Sequence, residues 1–519
     1  MGVIFSSVFS IKKIPVWQLL CYMVLAVVVL LGTLHIFKGD LFYETDIARD
    51  FLIVNDMVVQ RKISLIGGRS SLPGVFHGPL YYWMLLPLFV VSGGNPIVMS
   101  YLWLVLYWLF LVSFYYVGRK IFDSRFALIS TTFAASLTAF YPAGFTHTTV
   151  ANLLIIPWMY FVHQYAKQNK VGWILAAVFT SGLLIQFQMA FGLPMFILLC
   201  CYVVYLISRK RTYLHILALL LIALPLSTFM LFDLRHEFIQ IKTVFGYSAT
   251  NATGSVNGYF HDRWVSMVDS FSVMTSPNKV LRDGTSMLAL ASLVMLAWKN
   301  SRSGKKQNLA IFILTGIVIG FWIVSAPYKG NVWQPYYRPL LPVVVFCVTY
   351  FLLKYLPKKA AFLLFAVMIG SNLFFAIKGG IHYWQSNATD DEIHWKFYSQ
   401  LSKDIVANSN GQQIGYYVFT PDQYGYQAKY AMNYFASSNE VRMTPYKKQS
   451  ITYLIFAPTN PNNPWANPDD WQANKVKINR EADQLWSYPN GYSVHRYDLT
   501  QEEKSVASDP NLVDGIQTR

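Results

Sequence analysis

Long apolar stretches separated by short polar segments fill the chain as far as Lys378, and no comparable stretch follows. A membrane-spanning helix needs about 20 mainly apolar residues. Eleven stretches approach that length: 16–37, 97–117, 127–142, 149–166, 171–188, 189–208, 213–232, 285–298, 309–326, 338–354 and 359–378. The pattern therefore predicts a polytopic α-helical membrane protein, with eleven spans in a module that covers residues 1–384 and a polar C-terminal region after it.

The polar C-terminal region predicts a small α/β domain at 385–500. Residues 414–420 and 451–458 are rich in β-branched and aromatic residues, as is typical of strands, and the stretch between them has helical character. The Asn490–Gly491 pair predicts a hairpin turn near the end of this domain. Residues 501–519 are polar, and we expect them to form a flexible tail.

Basic residues predict how the spans are oriented. Lys and Arg are concentrated in segments that all fall on one side of the membrane if residues 79–92 do not cross it: 12–13, 119–125, 167–170, 209–211, 299–306 and 354–359. The positive-inside rule assigns that side to the cytoplasm. Residues 79–92 are therefore predicted to lie in the interface, which Tyr81, Tyr82 and Trp83 also favour. In the plasma (inner) membrane, the N-terminus is then cytoplasmic, and loop 38–96 and the C-terminal domain are extracytoplasmic.

The composition agrees with a membrane protein and narrows its chemistry. Hydrophobic residues make up 54% of the 519 residues and charged residues only 13%, whereas about a quarter of the residues in soluble domains are charged. The net charge of +16 comes mainly from loops between spans, so it does not indicate nucleic-acid binding. The four cysteines lie in apolar stretches, which argues against a disulfide framework. No metal-ligand spacing, Walker motif or Rossmann fingerprint occurs, so no cofactor is expected, with a divalent metal left open.

Acidic and basic residues meet in YETDIARD at 43–50, between the first two hydrophobic spans. Glu44, Asp46 and Asp50 flank Arg49, and in a helix Asp46 and Asp50 would share a face. A partly desolvated carboxylate that a neighbouring arginine keeps ionised is suited to act as a general base. The same pattern fits a solvated helix stabilised by ion pairs, so the residues alone leave both interpretations open.

A second group follows in GGRSSLPGVFHGPLYYW at 67–83. Its Gly and Pro residues predict a close approach of the backbone, and His77 directly precedes a predicted helix whose N-terminus can bind an anion. A single histidine is also a common structural residue. His77 is therefore either an anion contact or part of the packing.

In this order and at this spacing, the two groups resemble the first extracytoplasmic loop of GT-C glycosyltransferases of the protein-O-mannosyltransferase and aminoarabinose-transferase type, including bacterial family-39-like members. The resemblance lies in Asp46-Ile47-Ala48-Arg49 and His77-Gly78-Pro79-Leu80-Tyr81-Tyr82. It implies a GT-C-like fold with an interfacial helix at 79–92. It also implies that Asp46 is the base that deprotonates the acceptor, and that Arg49, His77 and Tyr81 contact the substrate.

One position departs from the family pattern. Many relatives have Glu directly after the catalytic Asp, whereas this chain has Ile47, which leaves Glu44 or Asp40 as substitutes for Asp46. His77 stands where aminoarabinose transferases have a Lys close to the lipid phosphate. The resemblance therefore predicts that a lipid phosphate binds near His77.

Three shorter elements further along also resemble the family. Asn152, in THTTVANLLIIPW, would contact the sugar or the acceptor, although a cap of the helix explains it equally well. Arg235 and His236, in FDLRHEF, would hold a phosphate by charge-assisted hydrogen bonds, unless they only anchor the span. Tyr337 and Arg338, in QPYYRPLLP, would join that phosphate site, although aromatic anchoring at the interface also explains the tyrosine.

The resemblance implies an inverting transfer of a sugar from a polyprenyl-phosphate donor to a hydroxyl of a lipid, glycan or protein acceptor on the outer face of the membrane. Asp46 or Glu44 would take the acceptor proton, while Arg235, Arg338 and His77 stabilise the departing lipid phosphate. The main alternative is a flippase or transporter of polyprenyl-linked lipids or sugars, which would place polar residues near the middle of its spans. A membrane receptor with an outer binding domain is a third interpretation.

Overall fold

The structure, a computed structural model, describes residues 15–250, 256–303, 308–328, 332–387, 390–421, 424–439, 441–459 and 467–512. The α-helices in these ranges are α1 Val16–Lys38, α2 Thr45–Gln60, α3 Leu80–Val91, α4 Pro96–Ile121, α5 Ser124–Leu137, α6 His147–Gln168, α7 Val171–Phe187, α8 Met189–Lys210, α9 Ser227–Arg235, α10 Ile239–Thr250, α11 Val256–Val273, α12 Lys279–Arg302, α13 Leu309–Ser325, α14 Gln334–Tyr337, α15 Leu341–Tyr355, α16 Lys358–Gln385, α17 Trp395–Asn408, α18 Tyr426–Asn439, α19 Pro468–Asp470 and α20 Gln501–Ser505. The strands are β1 Ile414–Phe419, β2 Met443–Pro445, β3 Ile451–Phe456, β4 Gln484–Ser487 and β5 Ser493–Asp498.

Six of the described helical units are long and apolar enough to cross a membrane: α1, α4, α8, α12, α14 with α15, and α16. The 3-10 segment Tyr213–Ala223 and α9 form one further candidate span, which is bent by 58°. Helices α7 and α13 are apolar but have only 17 residues each. The fold class is thus a polytopic helical membrane protein, and the total of eleven spans stays a prediction.

Helix α3 occupies the stretch that was predicted to lie in the membrane interface. It has only 12 residues and contains Pro87, whereas a crossing needs about 20 residues. Helix α3 is therefore too short to cross a bilayer, as the interfacial prediction requires.

The apolar helices pack into one bundle with a continuous core. The short helix α5 contacts four other helices of the bundle, α1, α4, α15 and α16. Gly118 of α4 allows a close approach to α5, because a Cβ atom there would lie 3.3 Å from the Cα atom of Ala127. Small residues at helix contacts are typical of membrane bundles, where helices associate mainly by close packing.

The C-terminal region contains a five-stranded sheet with the strand order β2-β1-β3-β5-β4. Strand β1 pairs in parallel with β2 and β3, whereas β5 pairs antiparallel with β3 and β4. Strands β1 and β3 coincide with the two predicted strands, α18 lies between them as predicted, and the predicted hairpin joins β4 to β5.

Residues 501–512 differ from the flexible tail that the sequence predicts. Helix α20 begins with a capping box in which Thr500 and Glu503 bond each other's backbone N–H groups. Glu503 also accepts a hydrogen bond from Arg480 at 2.8 Å, and Lys475 pairs with Asp509 at 2.5 Å. These contacts hold the segment against the sheet domain. Residues 513–519 lie outside the described residues.

The sheet domain and the loop after α1 share one hydrophobic core. The ring of Phe51, on α2, stacks on Trp103 of α4 at 6.0 Å and lies 5.3 Å from the ring of Tyr430 on α18. The ring of Tyr43 lies 5.0 Å from that of Trp395 on α17. The C-terminal region therefore supports α2 directly.

Candidate active site

The segment that leads into α2 is fixed by the start of α17. Asp40 is buried, and its Oδ1 atom accepts a hydrogen bond from the backbone N–H of Lys396 at 2.9 Å. Its Oδ2 atom lies 3.4 Å from Nδ1 of His394. These contacts give Asp40 a structural role at the end of α1. Of the two substitutes for Asp46 that the sequence leaves open, Glu44 is then the one with an available carboxylate.

Arg49 joins two carboxylates of α2 that lie in different environments. Its guanidinium pairs with Asp46 (Nη1 to Oδ1, 2.7 Å) and with Asp50 (Nη2 to Oδ1, 3.0 Å). The side chain of Asp46 is 54% exposed, whereas that of Asp50 is 2% exposed. Burial alone would lower the pKa of Arg49, but the charges of Asp50 and Asp46 outweigh burial and raise it. Arg49 therefore stays charged, and it orients the Asp46 carboxylate at a solvent-exposed position.

The buried carboxylate of Asp50 is stabilised from several directions. Tyr82 Oη donates a hydrogen bond to its Oδ1 atom at 3.0 Å, and Nδ1 of His147 lies 3.6 Å from its Oδ2 atom. Burial alone would raise the pKa of Asp50, but the charge of Arg49 and the contact with His147 hold it below its ordinary value. Asp50 is therefore an ionised anchor for Arg49.

Two glycines allow the loop before α3 to approach this network closely. Gly68 N–H donates to Tyr82 Oη at 3.0 Å, and a Cβ atom on Gly68 would lie 2.7 Å from Nε of Arg49. Gly78 N–H donates to the carbonyl of Gln186 at 3.1 Å, and a Cβ atom there would lie 2.6 Å from that oxygen. The predicted close approach is confirmed, because neither position has room for a side chain.

His77 and His147 lie side by side next to the Asp50 carboxylate, with their ring centroids 4.3 Å apart. Burial lowers the pKa of His77, and His147 and Arg49 lower it further. His77 is therefore neutral at pH 7. Nδ1 of His77 and both ring nitrogens of His147 are buried without a hydrogen-bond partner among the described residues, and a bound polar ligand would explain such atoms. No group of three or more His, Cys, Asp or Glu side chains in the described ranges is arranged to hold a metal ion.

Glu44 and Arg338 come from distant parts of the chain and interact electrostatically. Glu44 is the exposed N-cap residue of α2, and its side chain makes no cap hydrogen bond. The surrounding protein partly desolvates the Glu44 carboxylate and so raises its pKa. The charge of Asp46 raises this pKa further, and the charge of Arg338 opposes the shift. The guanidinium of Arg338 lies over the ring of Tyr141, 4.4 Å from the centroid, and its Nε donates to Tyr141 Oη at 3.0 Å. Arg338 is therefore fixed within electrostatic reach of the Glu44 carboxylate.

Arg235 and His236 make their contacts elsewhere. Arg235 is exposed at the end of α9 and forms no ion pair or hydrogen bond with any residue that the structure describes. His236 stacks on Phe232 with centroids 4.0 Å apart, and its Nδ1 lies 2.8 Å from the Phe232 carbonyl oxygen. This segment touches the loop before α3 through the rings of Phe232 and Phe76, 5.5 Å apart. Within the described ranges, no contact joins Arg235 or His236 to Asp46.

Tyr81 and Tyr337 are both buried. Tyr81 Oη donates to the carbonyl of Phe145 at 2.5 Å, and its ring lies 6.1 Å from that of His147. The ring of Tyr337 lies 6.2 Å from that of Trp322, and Tyr337 directly precedes Arg338 in the chain. Tyr81 therefore lies beside His147, whereas Tyr337 is linked to Arg338 only as its chain neighbour in these contacts.

Asn152 does not cap α6. The helix begins at His147 after the N-cap residue Thr146, so the helix-cap interpretation of Asn152 is wrong. Its side chain is buried, and neither its Oδ1 nor its Nδ2 atom has a hydrogen-bond partner among the described residues. Contact with a polar ligand is the other interpretation, and these atoms are compatible with it.

The sequence interpretation assigned no substrate or anchoring role to three residues of the network: Asp50, Tyr82 and His147. Asp50 and Tyr82 belong to the two elements that carry the resemblance, and the spacing of Asp50 four residues after Asp46 was a usable signal. His147 precedes Asn152 in the third element, but nothing local indicates that its ring meets Asp50. That contact depends on where the tertiary fold places the start of α6.

Comparison with solved structures bears on the fold. The chain is similar to the crystal structure of ArnT from Cupriavidus metallidurans bound to undecaprenyl phosphate, with a TM-score of 0.57 and 12% identity over 93% of this chain and 98% of that chain. It matches the apo state of the same protein with a TM-score of 0.57 and 13% identity over 92% and 97%. The Archaeoglobus fulgidus oligosaccharyltransferase in complex with Zn and sulfate overlaps less, with a TM-score of 0.46 and 11% identity over 81% and 62%. No protein-family model and no curated protein sequence matches the chain.

The similarity to ArnT extends over nearly the whole length of both chains. This protein therefore has the same overall membrane fold as ArnT, which agrees with the resemblance seen in the two sequence elements. At 12% to 13% identity, the likeness establishes the fold alone.

Proposed function

We propose that this protein is a multi-pass enzyme of the inner membrane that moves a sugar from a polyprenyl-phosphate donor to an acceptor hydroxyl, with inversion at the anomeric carbon. The observation that carries the proposal is the accessible carboxylate of Asp46, which Arg49 holds in place while the buried Asp50 anchors Arg49. The fold supports the donor class, because the ArnT crystal structure is bound to undecaprenyl phosphate.

In the proposed reaction, Asp46 accepts the proton of the acceptor hydroxyl while that oxygen attacks the anomeric carbon. The bond between the anomeric carbon and the donor phosphate oxygen breaks, and the phosphate leaves with the bonding electrons. Negative charge grows on the phosphate, so cations fixed beside it lower the barrier. Arg338 and Arg49 would supply positive charge, and the neutral ring of His77 would donate a hydrogen bond.

Glu44 is the proposed substitute for Asp46 as the base. Ile47 occupies the position at which relatives have a second carboxylate, and it is buried at 1% exposure. Glu44 is exposed close to Asp46 in the chain, and its pKa is raised, which suits a general base. A carboxylate one turn earlier would thus serve where the family pattern is broken.

Asn152, Tyr81 and Tyr337 complete the proposed substrate pocket. Asn152 is proposed to contact the sugar or the acceptor through its two unpaired polar atoms, and the tyrosines to shape the pocket. The phosphate role predicted for Arg235 and His236 has no support from their contacts, so the proposal does not use it.

The test is the turnover of radiolabelled polyprenyl-phosphate sugars by the purified full-length protein in sealed vesicles. We expect the wild type to release or transfer the labelled sugar and Asp46→Asn to lose this activity. Asp56→Asn, which alters another carboxylate of α2, is the matched control and should stay active. Movement of the intact labelled lipid across the vesicle membrane without cleavage would identify a flippase or transporter and overturn the proposal.

The full chain is required for this test. Removal of residues from 385 onward would take away Trp395 and Tyr430, which pack against Tyr43 and Phe51 beside the site. Activity lost on truncation would therefore report the collapse of α2, and a point variant isolates the chemistry.

A further inference from the structure

A groove separate from the Asp46 site runs between helices α1, α5 and α16. Its volume is about 490 Å³, within the range of roughly 300 to 1,000 Å³ that is typical of small-molecule sites. Its walls are mostly apolar and include Leu20 and Val24 of α1 and Phe362, Phe365 and Ile369 of α16. Leu20 and Phe362 are exposed. The groove therefore opens on the outside of the bundle, where lipid chains surround a spanning helix.

Two cations lie at one end of the groove. Arg125, near the start of α5, and Lys358, at the start of α16, both line it and are both exposed. Neither forms an ion pair or a hydrogen bond with a residue in the described ranges. The guanidinium of Arg125 lies over the ring of Trp17, 5.7 Å from the centroid, so it is oriented beside the groove without being neutralised.

The surrounding charge is strongly positive. Segments 119–125 and 354–359 contain six basic residues and one acidic residue, Asp123. The Asp123 carboxylate accepts a hydrogen bond from the backbone N–H of Phe126 at 2.8 Å as the N-cap of α5, so it is bound to its own helix. An anion at this end of the groove would face a net excess of positive charge.

The first turn of α16 adds hydrogen-bond donors to this charge. Its N-cap residue, Pro357, provides no side-chain acceptor. The backbone N–H groups of Lys358, Lys359 and Ala360 have no backbone acceptor among the described residues. Such groups favour a bound phosphate when cations and an apolar groove lie beside them.

We propose that this groove binds an anionic glycerophospholipid. Its phosphate would lie between Arg125 and Lys358, and one acyl chain would follow the apolar walls of α1 and α16. Basic pockets between membrane helices attract anionic headgroups on the cytoplasmic side, and the positive-inside pattern predicts that side for these segments. The charge and the apolar walls are matched by one lipid molecule, whereas free phosphate would leave the walls uncovered.

The test is native mass spectrometry of the purified full-length protein in detergent with added phosphatidylglycerol or phosphatidylcholine. We expect the wild type to retain phosphatidylglycerol about tenfold more than phosphatidylcholine, because each basic residue near a headgroup favours the anionic lipid. The double variant Arg125→Gln, Lys358→Gln should lose this preference. Inorganic phosphate at the same concentration should not displace the lipid, and displacement would show a simple phosphate site and overturn the proposal.

A matched control removes the same charge elsewhere. The guanidinium groups of Arg209 and Arg302 lie over the rings of Tyr205 and Trp298, 5.4 and 4.3 Å from the centroids, as that of Arg125 lies over Trp17. Neither arginine lines the groove, so Arg209→Gln, Arg302→Gln should keep the preference. An equal loss in this control would attribute the preference to overall charge and overturn the proposal.

A third variant fills the groove and leaves its charge unchanged. Ala366 is exposed in the wall of the groove, so Ala366→Trp should place a ring where the acyl chain would lie. Retention of phosphatidylglycerol should fall at least severalfold, with the midpoint of thermal unfolding measured to show that the variant is folded. Unchanged retention in a folded variant would contradict the proposed path of the chain, and equal retention of the two lipids by the wild type would overturn the site.

Discussion

Arg49 pairs with one carboxylate on the solvent-exposed side of helix α2, called the outer side, and with another on its buried side, called the inner side. On the outer side, Arg49 pairs with Asp46, whose side chain is 54% exposed. On the inner side it pairs with Asp50, which is 2% exposed and also bonded by Tyr82. An exposed pair contributes little to stability, whereas a buried pair is costly to break. The comparison indicates that the inner carboxylate maintains the fold and the outer carboxylate is available to a substrate.

The two sides also differ in what covers them. The inner side of α2 meets the loop before α3, the start of α6 and, through Phe51 and Tyr43, the C-terminal region. The outer side carries Glu44 and Asp46, and both are exposed. Variants of the outer side should therefore lose turnover, and variants of the inner side should lose stability.

The largest expected effect is on turnover, at the outer side. Asp46→Asn removes the proposed base and should lower sugar turnover by a factor of about 10² to 10⁴, the usual contribution of general-base catalysis. Its midpoint of thermal unfolding in detergent should stay close to that of the wild type, because an exposed ion pair contributes about 1 kcal/mol or less. Asp56→Asn serves as the control. Near-normal turnover in a folded Asp46→Asn protein would contradict the assignment of Asp46 as the base. The base would then be Glu44, or the reaction would need no general base.

The next effect is on stability, at the inner side. Asp50→Asn leaves the Arg49 guanidinium without its buried counter-charge, which we expect to cost about 3 kcal/mol and to lower the midpoint of thermal unfolding clearly. Tyr82→Phe removes only one hydrogen bond to the same carboxylate and should cost about 1 kcal/mol. If Asp50→Asn were as stable as the wild type while losing turnover, Asp50 would belong to the chemistry and the comparison would fail.

A third effect is on the KM for the donor, and it distinguishes Arg338, which lies near Glu44, from Arg235, which is exposed at the end of α9. Arg338→Gln should raise the KM for the polyprenyl-phosphate sugar about tenfold, because a charge-assisted hydrogen bond to phosphate contributes at least about 1.4 kcal/mol. Arg235→Gln removes the same charge at the end of α9 and should change KM less than about twofold. Steady-state kinetics with varied donor concentration provide both values. Equal effects in the two variants would mean that both arginines reach the phosphate.

The smallest effect is a pH dependence of stability from the inner side. The pKa of His77 is lowered in the folded protein, whereas an unfolded histidine titrates near about 6.5. Protons then bind preferentially to the unfolded chain. The stabilisation of the folded protein by neutral His77 is therefore complete above about pH 6.5. It decreases as the pH falls below that value, by at most about 1.4 kcal/mol per pH unit. Thermal midpoints between pH 8 and pH 5 measure the slope. His77→Gln should reduce the slope.

Much of the fold could be predicted because its signals are local. Apolar length and the positive-inside pattern predicted a polytopic bundle and a short interfacial helix, and α3 has only 12 residues. Strands β1 and β3 and the hairpin turn followed from β-branched and aromatic runs and from Asn490–Gly491. The exact set of spans could not be predicted in this way, because bends such as that before α9 depend on packing between helices.

The site residues were predictable only where they lie together in a short stretch of sequence. Asp46, Arg49 and the glycines near His77 share two local elements, and the structure joins them through Tyr82 and Asp50. The contact of His147 with Asp50 depends on tertiary packing and has no local signal. Arg235 shows the converse, because a family-like element places a cation in the chain but no contact within the described ranges joins it to Asp46 or Asp50.

The central claim is that the donor phosphate binds beside the outer side of α2, and the position of that phosphate tests the claim most directly. A cryo-electron microscopy structure of the full-length protein with undecaprenyl phosphate would locate it. We predict phosphate density within hydrogen-bond distance, about 2.7 to 3.2 Å, of Arg338 or Arg49, with Asp46 facing the adjacent space where the sugar and acceptor would meet. Phosphate density elsewhere, with none of these three side chains next to the ligand, would contradict the proposed sugar transfer.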